Sequence, residues 1–456
     1  MTFRSRVLKL HPAALVLGSF LSLIFAGTFL LKLPFSTMGG HIFWADALFT
    51  ATSAVCVTGL AVLDTGSYFS LFGQGVILCL IQIGGLGVMT ISVALFRWFG
   101  RSVAFRHRMA MQDLFAHTPR EDIFGLVKSI IYFTFGVEAF GAVVLSIYWG
   151  RELPIPTAVY RGVFHSVSAF CNAGFSLFPN SLMDYSGSLL LNVTIGGLIV
   201  VGGIGFPVLY DLQSWFVMRR KKRTRLSIQT KTVLLTTLFL ILAGMVMFGF
   251  LEKQMLTGSL PPGSRLLAPV FQSITCRTAG FNTVDIGSLK DATLAMMIFF
   301  MFFGASPGSC GGGVKTTTLA LLTAFTLSRI KRKRRVNIFR KSIPNETVTR
   351  SMSLILISIG IIGTTVFLLL VGDTASGVHP EISKRSFLAF LFEVVSAFGT
   401  VGLSMGITPM LDPFSKYIII FVMIIGRVGV LTFSYIIVGA GVGNGIEYAE
   451  ENLMVG

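Results

Sequence analysis

Long apolar stretches separated by short polar connections run through the whole chain. Eight of these stretches are long enough for a helix of about 20 residues, the length that crosses the hydrocarbon core of a bilayer. They are residues 13–31, 70–96, 123–149, 188–218, 232–251, 291–328, 351–371 and 416–440. The pattern therefore predicts a membrane protein with eight spans.

Four shorter apolar segments lie in connections between these spans. They occupy residues 42–57, 157–172, 264–277 and 384–400, and each is too short to cross a bilayer. A helix of this length between two spans is typical of a segment that re-enters the membrane, which is permitted only where protein or a water-filled cavity surrounds its irregular end. We therefore predict a unit of span, half-helix and span that occurs four times.

The expected fold class is an all-α polytopic membrane protein, with four pseudo-symmetric helix–pore helix–helix repeats around a central ion pore. The predicted repeats are residues 1–108, 109–222, 223–341 and 342–456, and the third has a broken second span.

The composition supports a membrane protein. Of the 456 residues, 53% are hydrophobic and only 12% are charged, whereas roughly a quarter are charged in an ordinary soluble domain. This balance excludes a cytosolic globular protein. The net charge of +17 would suggest a nucleic-acid partner in a soluble chain, but here the placement of the charges indicates membrane orientation.

Basic residues are dense in alternate connections. The four dense groups lie within residues 4–9, 97–128, 219–231 and 329–350. By the positive-inside rule these groups face the cytoplasm, so we expect a multi-pass protein of the cytoplasmic (inner) membrane with both termini inside. A basic run could instead bind nucleic acid or anionic lipid, but topology explains all four groups at once. We therefore expect the protein to contact membrane lipid and not nucleic acid.

Each short segment ends in a similar string that contains one glycine. The strings are residues 49–60, 164–175, 271–281 and 392–403. Their glycines are Gly59, Gly174, Gly280 and Gly402, at intervals of 115, 106 and 122 residues. The residues predicted to line the ion path are Val55, Cys56, Val57, Thr58, Gly59, Phe170, Cys171, Asn172, Ala173, Gly174, Cys276, Arg277, Thr278, Ala279, Gly280, Phe398, Gly399, Thr400, Val401 and Gly402.

A serine also recurs in these strings. Ser53, Ser168 and Ser396 stand six residues before the glycine, and Ile274 takes that place in the third string. The cysteines near the glycines are interpreted as small wall residues and not as metal ligands.

A glycine at the end of a short helix supplies backbone conformations that a side chain forbids. Four such segments around one axis would form rings of carbonyl oxygens that replace the hydration shell of a monovalent cation. The carbonyl end of each half-helix carries a partial negative charge that favours a cation, and Asp46 suits the opposite pole of the first one. Alternatively, the glycines only let helices approach closely. Their recurrence at the same place in four strings favours the filter.

A glycine-rich segment breaks the third repeat's second span. Five glycines and one proline lie within residues 304–313, so regular helix cannot continue there and the backbone must face a cavity. The segment resembles a phosphate-binding loop, but Val314 separates its last glycine from Lys315, so nucleotide binding is not expected. A packing kink is the remaining alternative. The residues of this segment are Gly304, Ala305, Ser306, Pro307, Gly308, Ser309, Cys310, Gly311, Gly312 and Gly313, and Lys315 follows them.

Arg427 stands inside the last predicted span, where a charge costs several kcal/mol unless it meets a cavity or a partner. Lys315 has a similar position or simply marks the restart of a helix. Glu138 and Glu393 are also at membrane depth, and for Glu393 we favour hydrogen bonds to neighbouring backbone over contact with a passing ion.

The four glycine strings, the broken span and Arg427 together resemble the Trk/Ktr/HKT superfamily of potassium transporters, most closely its Ktr-type membrane subunit. The resemblance covers nearly the whole chain. It implies K⁺ coordinated by filter carbonyls, residues 304–313 as an intramembrane gating loop below the filter, and Arg427 at that gate. It also implies a homodimer on a cytoplasmic nucleotide-binding KtrA-like ring, with K⁺ as the transported ion, Na⁺ as a candidate activator and no catalytic cofactor.

Two other classes of function, a membrane-embedded enzyme and a coupled carrier, require features that can be sought in the sequence. A membrane-embedded enzyme needs clustered His, Asp or Glu at helix ends, and the sequence has no such cluster and no G-x-S-x-G or H-E-x-x-H motif, so no enzyme is predicted. A sodium- or proton-coupled carrier of another small solute needs charges at the midplane for coupling. Arg427 and Glu138 are the candidates for that role, so the carrier remains the alternative.

Overall fold

A computed structural model of the protein describes residues 12–87, 123–218, 226–258, 263–376 and 386–430. Predicted features outside these ranges are the basic group at 4–9, most of the groups at 97–128 and 219–231, and the ends of two predicted spans, 88–96 and 431–440.

The described part of the chain is mostly helical. Its first helices are α1 (Pro12–Lys32), α2 (Trp44–Val55), α3 (Thr65–Tyr68), α4 (Leu71–Leu86), α5 (Ile123–Trp149), α6 (Ile155–Phe170), α7 (Leu189–Ile204), α8 (Phe206–Met218) and α9 (Ile228–Leu251). They continue with α10 (Lys253–Gly258), α11 (Ser264–Thr275), α12 (Asp291–Phe302), α13 (Thr316–Ile330), α14 (Asn345–Ser376), α15 (Ser386–Gly399) and α16 (Pro413–Val428). Short 3₁₀ turns cover Pro34–Ser36, Met183–Tyr185, Ile286–Ser288 and Thr408–Met410. A small antiparallel hairpin pairs β1 (Asn337–Ile338) with β2 (Lys341–Ser342).

Three helices in the described ranges are long and apolar enough to cross a membrane: Lys128–Trp149, Ile228–Leu251 and Asn345–Asp373. The bent pair of α7 and α8 adds a fourth if it is one span. Large apolar side chains such as Phe140, Phe250 and Phe367 are exposed on the long helices. Lipid is the solvent that suits such a surface.

Helices lie where the four short segments were predicted, with ends that differ by a few residues. They are α2, α6, α11 and α15. The helices that precede them in the chain pack against them: α1 contacts α2, α5 contacts α6, α9 contacts α11 and α14 contacts α15. The short helices are therefore enclosed by longer ones, as irregular structure at membrane depth requires.

Second spans that the sequence predicted as continuous are broken. Helix α4 ends at Leu86, α7 at Ile204 and α16 at Val428, well inside predicted spans 70–96, 188–218 and 416–440. Each break falls on a glycine with a left-handed backbone, which ends a helix at little steric cost: φ is 82° at Gly87, 97° at Gly205 and 97° at Gly429. Beyond Gly205 the chain turns by 97° into α8. The prediction of continuous spans was wrong at these points.

The break predicted in the third repeat is present, because α12 ends at Phe302 and α13 begins at Thr316. This break covers residues 303–315, whereas Gly205 alone separates α7 from α8.

The core of the described region is built from equivalent positions of the four strings. Phe49, Phe164, Phe271 and Phe392 begin the strings, and all four side chains are buried. Each phenylalanine anchors one face of its short helix in the protein interior, which fixes the direction of the segment that follows.

An ion pair joins the first and last of the short-helix units. Asp46, in the first turn of α2, accepts a 2.7 Å hydrogen bond from Lys416 Nζ of α16. The carboxylate lies at the positive end of the α2 dipole, as the sequence predicted.

Candidate ion pore

The four string glycines meet at one place in the structure. A Cβ atom added to Gly59 would lie 3.1 Å from Gly174 Cα, and one added to Gly174 would lie 2.9 Å from Gly280 Cα. The ring continues with 3.2 Å from Gly280 to Gly402 Cα and closes with 3.0 Å from Gly402 to Gly59 Cα. All four have a positive φ, from 70° to 92°. A side chain at any of these four glycines would collide with the backbone of the neighbouring string.

Carbonyl groups line this ring. The residue before each glycine directs its oxygen toward an adjacent glycine; these residues are Thr58, Ala173, Ala279 and Val401. An added Cβ would lie 2.8 Å from Ala279 O at Gly174 and 2.5 Å from Val401 O at Gly280. Each of these four backbone oxygens therefore lies beside a glycine of the neighbouring string. Rings of carbonyl oxygens are groups that can replace the water around a monovalent cation.

Non-glycine residues two places before each glycine also have a left-handed backbone. They are Val57, Asn172, Thr278 and Thr400, with φ of 56°, 59°, 76° and 50°. Such values are rare for β-branched residues, and they persist only where the surroundings enforce them. Because the same backbone conformation recurs in all four strings, at three β-branched residues and one asparagine, it belongs to the shape of the ring. The residue types gave no sign of it.

Hydroxyl groups of the short helices brace two of the strings in one way. Ser53 Oγ accepts the N–H of Gly59 at 3.1 Å, and Ser396 Oγ accepts the N–H of Gly402 at 3.1 Å. The recurrent serine is therefore a support for the glycine backbone.

In the other two strings a hydroxyl bonds the carbonyl of the residue that follows the glycine. Ser168 Oγ donates to Phe175 O at 2.8 Å. In the third string Thr275 Oγ1 donates to Phe281 O at 2.6 Å, one residue after Ile274. The shift explains why Ile274 breaks the serine pattern: the neighbouring threonine supplies the hydroxyl.

Some predicted filter residues belong to helices instead. Val55 and Phe170 are the last residues of α2 and α6, and Phe398 and Gly399 lie in the last turn of α15. In the first, second and fourth strings the helix therefore reaches one or two residues into the predicted filter segment, whereas the third segment begins at Cys276, directly after α11. The backbone that forms the ring starts after them, because each helix ends at that point.

Two charged residues near the ring direct their side chains away from the aperture. Arg277 is buried, and its guanidinium lies 3.4 Å from Thr237 Oγ1 of α9. Glu138 of α5 accepts from Gln82 Nε2 at 3.1 Å, and Cys171 Sγ lies 3.8 Å from its carboxylate. Both support the wall behind the ring.

A vestibule opens onto one side of the ring. It is a cavity of about 290 Å³ lined by the four glycines and by the loops that follow the short helices. Its polar lining includes Asp64, Ser176, Asn282 and Ser404. Hydrated cations entering this cavity would reach the carbonyls directly.

Glu393 lies one layer behind the vestibule wall. Its side chain is buried and accepts from Ser404 Oγ at 2.9 Å and from Thr408 Oγ1. Both hydroxyl residues line the vestibule. The prediction that Glu393 bonds backbone was wrong, because side-chain hydroxyls satisfy the carboxylate.

The glycine-rich segment between α12 and α13, here called the loop (residues 304–315), contacts two cationic side chains. The Arg427 guanidinium donates to the carbonyls of Cys310 and of Gly84 in α4. Lys315 Nζ donates to Gly311 O at 2.8 Å and to Gly312 O at 3.2 Å. Three consecutive loop carbonyls are therefore occupied by cations of the protein itself.

Backbone bonds also tie the loop to the ends of two broken spans. Cys310 N–H donates to Gly202 O of α7 at 3.3 Å, and Gly313 N–H donates to Gly426 O of α16 at 3.1 Å. The loop thus crosses from one second span to another beside the ring.

A second glycine motif, which was not predicted from the sequence, determines where along the spans these breaks fall. Gly84, Gly202 and Gly426 follow the ring glycines by 25, 28 and 24 residues. A Cβ at any of the three would collide with a carbonyl of the last turn of the adjacent short helix, at Val55, Phe170 and Phe398 respectively. The spacing was visible in the sequence and could have located the breaks.

Comparisons with known proteins agree with this architecture. The family model of TrkH, a cation transport protein, matches residues 14–440. The chain is 41% identical over 427 residues to Ktr system potassium uptake protein B of Vibrio alginolyticus, covering 93% of this chain and 90% of that protein. It is 36% identical to potassium/sodium uptake protein NtpJ of Enterococcus hirae over 98% of both chains.

Among solved structures, the chain is similar to the crystal structure of the potassium transporter TrkH from Vibrio parahaemolyticus. The TM-score is 0.69 at 18% sequence identity, covering 94% of this chain and 84% of that one. This likeness shows a shared fold. With the family match over most of its length, the chain belongs to the TrkH family of cation transport proteins.

Proposed function

We propose that the protein takes up K⁺ across the cytoplasmic membrane through the ring of Gly59, Gly174, Gly280 and Gly402. The observation that supports this proposal is the closed ring itself, in which each of the four glycines lies against the next and beside a backbone oxygen of the neighbouring string. Relatives at 39–41% identity are named potassium uptake proteins, which supports K⁺ as the cargo.

The path begins at the vestibule, where a hydrated K⁺ meets Asp64 and the polar loops. At the ring the carbonyls of Thr58, Ala173, Ala279 and Val401 replace its water. Entry needs no ionised ligand, so the ion is held weakly enough to leave. The membrane potential supplies about 2.3 kcal/mol per charge for each 100 mV.

The loop is proposed as the gate. It lies against the inner residues of the ring, since Cβ atoms added at Gly304, Gly311 and Gly312 would touch Thr278 or Thr400. Arg427 and Lys315 hold its carbonyls, and their fixed positive charges oppose a cation that leaves the ring. Conduction then requires the loop to withdraw from these partners.

The wider assembly is also a proposal. It has four repeats with the bounds predicted from the sequence, both termini in the cytoplasm, and a homodimer on a cytoplasmic nucleotide-binding KtrA-like ring, with Na⁺ as activator. Exposed basic residues of the α13–α14 connection suit its cytoplasmic side, and they include Arg332, Arg334 and Arg340.

Growth of a bacterium that lacks potassium uptake tests the function. The chain, expressed with its regulatory partner, should restore growth on limiting K⁺. Gly280→Ser should weaken rescue or lose preference for K⁺ over Na⁺, because any Cβ there meets Val401 O and Gly402 Cα. Gly360→Ala in α14, where an added Cβ meets nothing within 4 Å, is the matched control. Failure of the unaltered chain to rescue would contradict the proposal.

Direct ion measurements separate this proposal from a coupled carrier. Tracer uptake into vesicles that hold the purified chain should follow the K⁺ gradient alone. Uptake that requires a proton or sodium gradient for another solute would favour the carrier instead.

A further inference from the structure

We propose that Thr400 is a positioning residue that fastens the closed loop to the fourth string of the ring, so that the loop and the ring change together. The inference rests on the proposed function, since it takes residues 304–315 to be the gate.

One hydrogen bond makes the connection. Thr400 Oγ1 accepts the backbone N–H of Gly312 at 2.7 Å, and both groups are buried. The carbonyl of the same glycine accepts from Lys315 Nζ at 3.2 Å. Gly312 is thus held from both sides of its backbone, by the ring through its N–H and by the gate's own lysine through its C=O.

The contact leaves no space between loop and ring. A Cβ added to Gly312 would lie 2.7 Å from both Cγ2 and Oγ1 of Thr400 and 2.8 Å from Gly426 O. A shift of the loop away from the ring therefore has to break this bond, because neither side has slack that could preserve it.

The other three equivalent positions do not make this connection. Val57 has no hydroxyl, while Asn172 and Thr278 are joined to each other at 3.2 Å across the second and third strings. Within the part of the chain that the structure describes, Thr400 is the ring residue whose hydroxyl accepts a loop N–H. Among the described residues, the loop therefore packs against more than one string, but the hydrogen bond from a loop N–H to a ring hydroxyl is made by the fourth string alone.

The backbone of Thr400 makes the connection consequential. Its φ of 50° is unfavourable for a β-branched residue, so the surroundings must hold it there. Withdrawal of Gly312 removes one of these restraints and leaves the hydroxyl without its donor. By linkage, whatever fixes the fourth string also favours the closed loop.

Thr400→Val is the direct test, because valine already occupies the equivalent left-handed position at Val57. Valine keeps the shape of threonine but leaves the Gly312 N–H without an acceptor. In vesicles that hold the purified full chain without a regulatory partner, K⁺ flux through Thr400→Val should rise about tenfold, because the closed state is weakened. Thr400→Ser keeps the oxygen and should return flux to the unaltered level.

Thr326→Val in α13 is the matched control for the loss of a threonine hydroxyl. Its side chain is exposed and donates only within α13, to Leu322 O at 3.0 Å. Its flux should equal that of the unaltered chain. Unchanged or lower flux in Thr400→Val, or a Thr400→Ser variant that behaves like Thr400→Val, would overturn the inference.

Gly312→Ala tests the same contact from the loop side and carries the experiment if Thr400→Val is not recovered as folded protein. The added methyl should separate loop from ring and raise flux, whereas unchanged flux would overturn the inference. If both variants fold, the double variant should show less than the product of the two single effects. Unaltered chain that carries no K⁺ would instead count against the proposed function.

Discussion

The ring and the layer beneath it are built on different plans. In the ring, each string contributes a positive-φ glycine and a left-handed residue two places earlier, and in each a hydroxyl braces the turn. In the layer beneath, the broken second spans differ: the first two and the fourth end at a glycine, whereas the third opens into a loop. Coordination of a spherical ion benefits from equivalent oxygens, while closure needs only one obstructing element.

The repeats differ most clearly at the residue that directly follows Gly84, Gly202 and Gly426, the glycines of the second motif. Gly85 and Gly203 occupy it in the first two repeats, and Arg427 occupies it in the fourth. An added Cβ at Gly85 would meet Cys171 Sγ, so that position packs on the ring wall. Arg427 instead reaches the loop. An arginine in place of glycine within a repeated motif thus turns a packing site into a contact with the loop.

Altering the repeated part should have the largest effect. Gly174→Ala would place a methyl 2.8 Å from Ala279 O and force a positive φ on alanine. We expect K⁺ uptake to fall about 100-fold, since the ring cannot keep its shape. Gly197→Ala in α7, where an added Cβ has open space, should keep normal uptake. Tracer uptake in vesicles measures both, and equal uptake would show that the ring tolerates asymmetry.

Altering the unrepeated part should instead raise K⁺ flux. Arg427→Gly gives the fourth repeat the residue that the first two carry and removes the bonds to Cys310 O and Gly84 O. Flux without a regulatory partner should rise about tenfold, because charged hydrogen bonds that hold the closed loop are lost. Arg427→Lys keeps one charge and should fall between the two. A fall in flux for Arg427→Gly would mean that the arginine supports conduction.

The repeated part was also the part that the sequence predicted best. The four glycines, the serines at 53, 168 and 396 and the short helices were all visible as a recurrent string. Repetition is a strong signal because unrelated positions rarely coincide four times. Even the exception at Ile274 was visible, although the role of Thr275 required the hydrogen bond to Phe281.

Three other features were harder to predict. Left-handed backbone at Val57 and Thr400 has no signature in residue type, since tertiary packing imposes it. The breaks after Leu86, Ile204 and Val428 lie in apolar stretches that read as continuous spans, and only the recurrence of Gly84, Gly202 and Gly426 indicates them. The partners of Arg427 come from segments far away in the sequence, and a single sequence does not show which distant segments are in contact.

Lys315→Met should have a smaller effect of the same sign as Arg427→Gly. Methionine preserves length and apolar volume but cannot donate to Gly311 O and Gly312 O, now at 2.8 and 3.2 Å. Flux should rise about threefold, because Arg427 and the Gly313 N–H still hold the loop. A rise above that of Arg427→Gly would reverse their order and make the lysine the main restraint.

The smallest effect should come from the ion pair of Asp46 and Lys416, which joins the first and last units outside both regions. The side chains are 12% and 13% exposed, so part of their attraction is screened. Lys416→Met and Asp46→Asn should each lower Tm by about 2 °C, and the double variant should fall little further, because either change removes the same contact. Selectivity for K⁺ should stay constant in all three. A changed ratio of K⁺ to Na⁺ flux would mean that this contact between the first and last units controls the geometry of the ring. The equivalence of the four strings would then depend on one unrepeated contact.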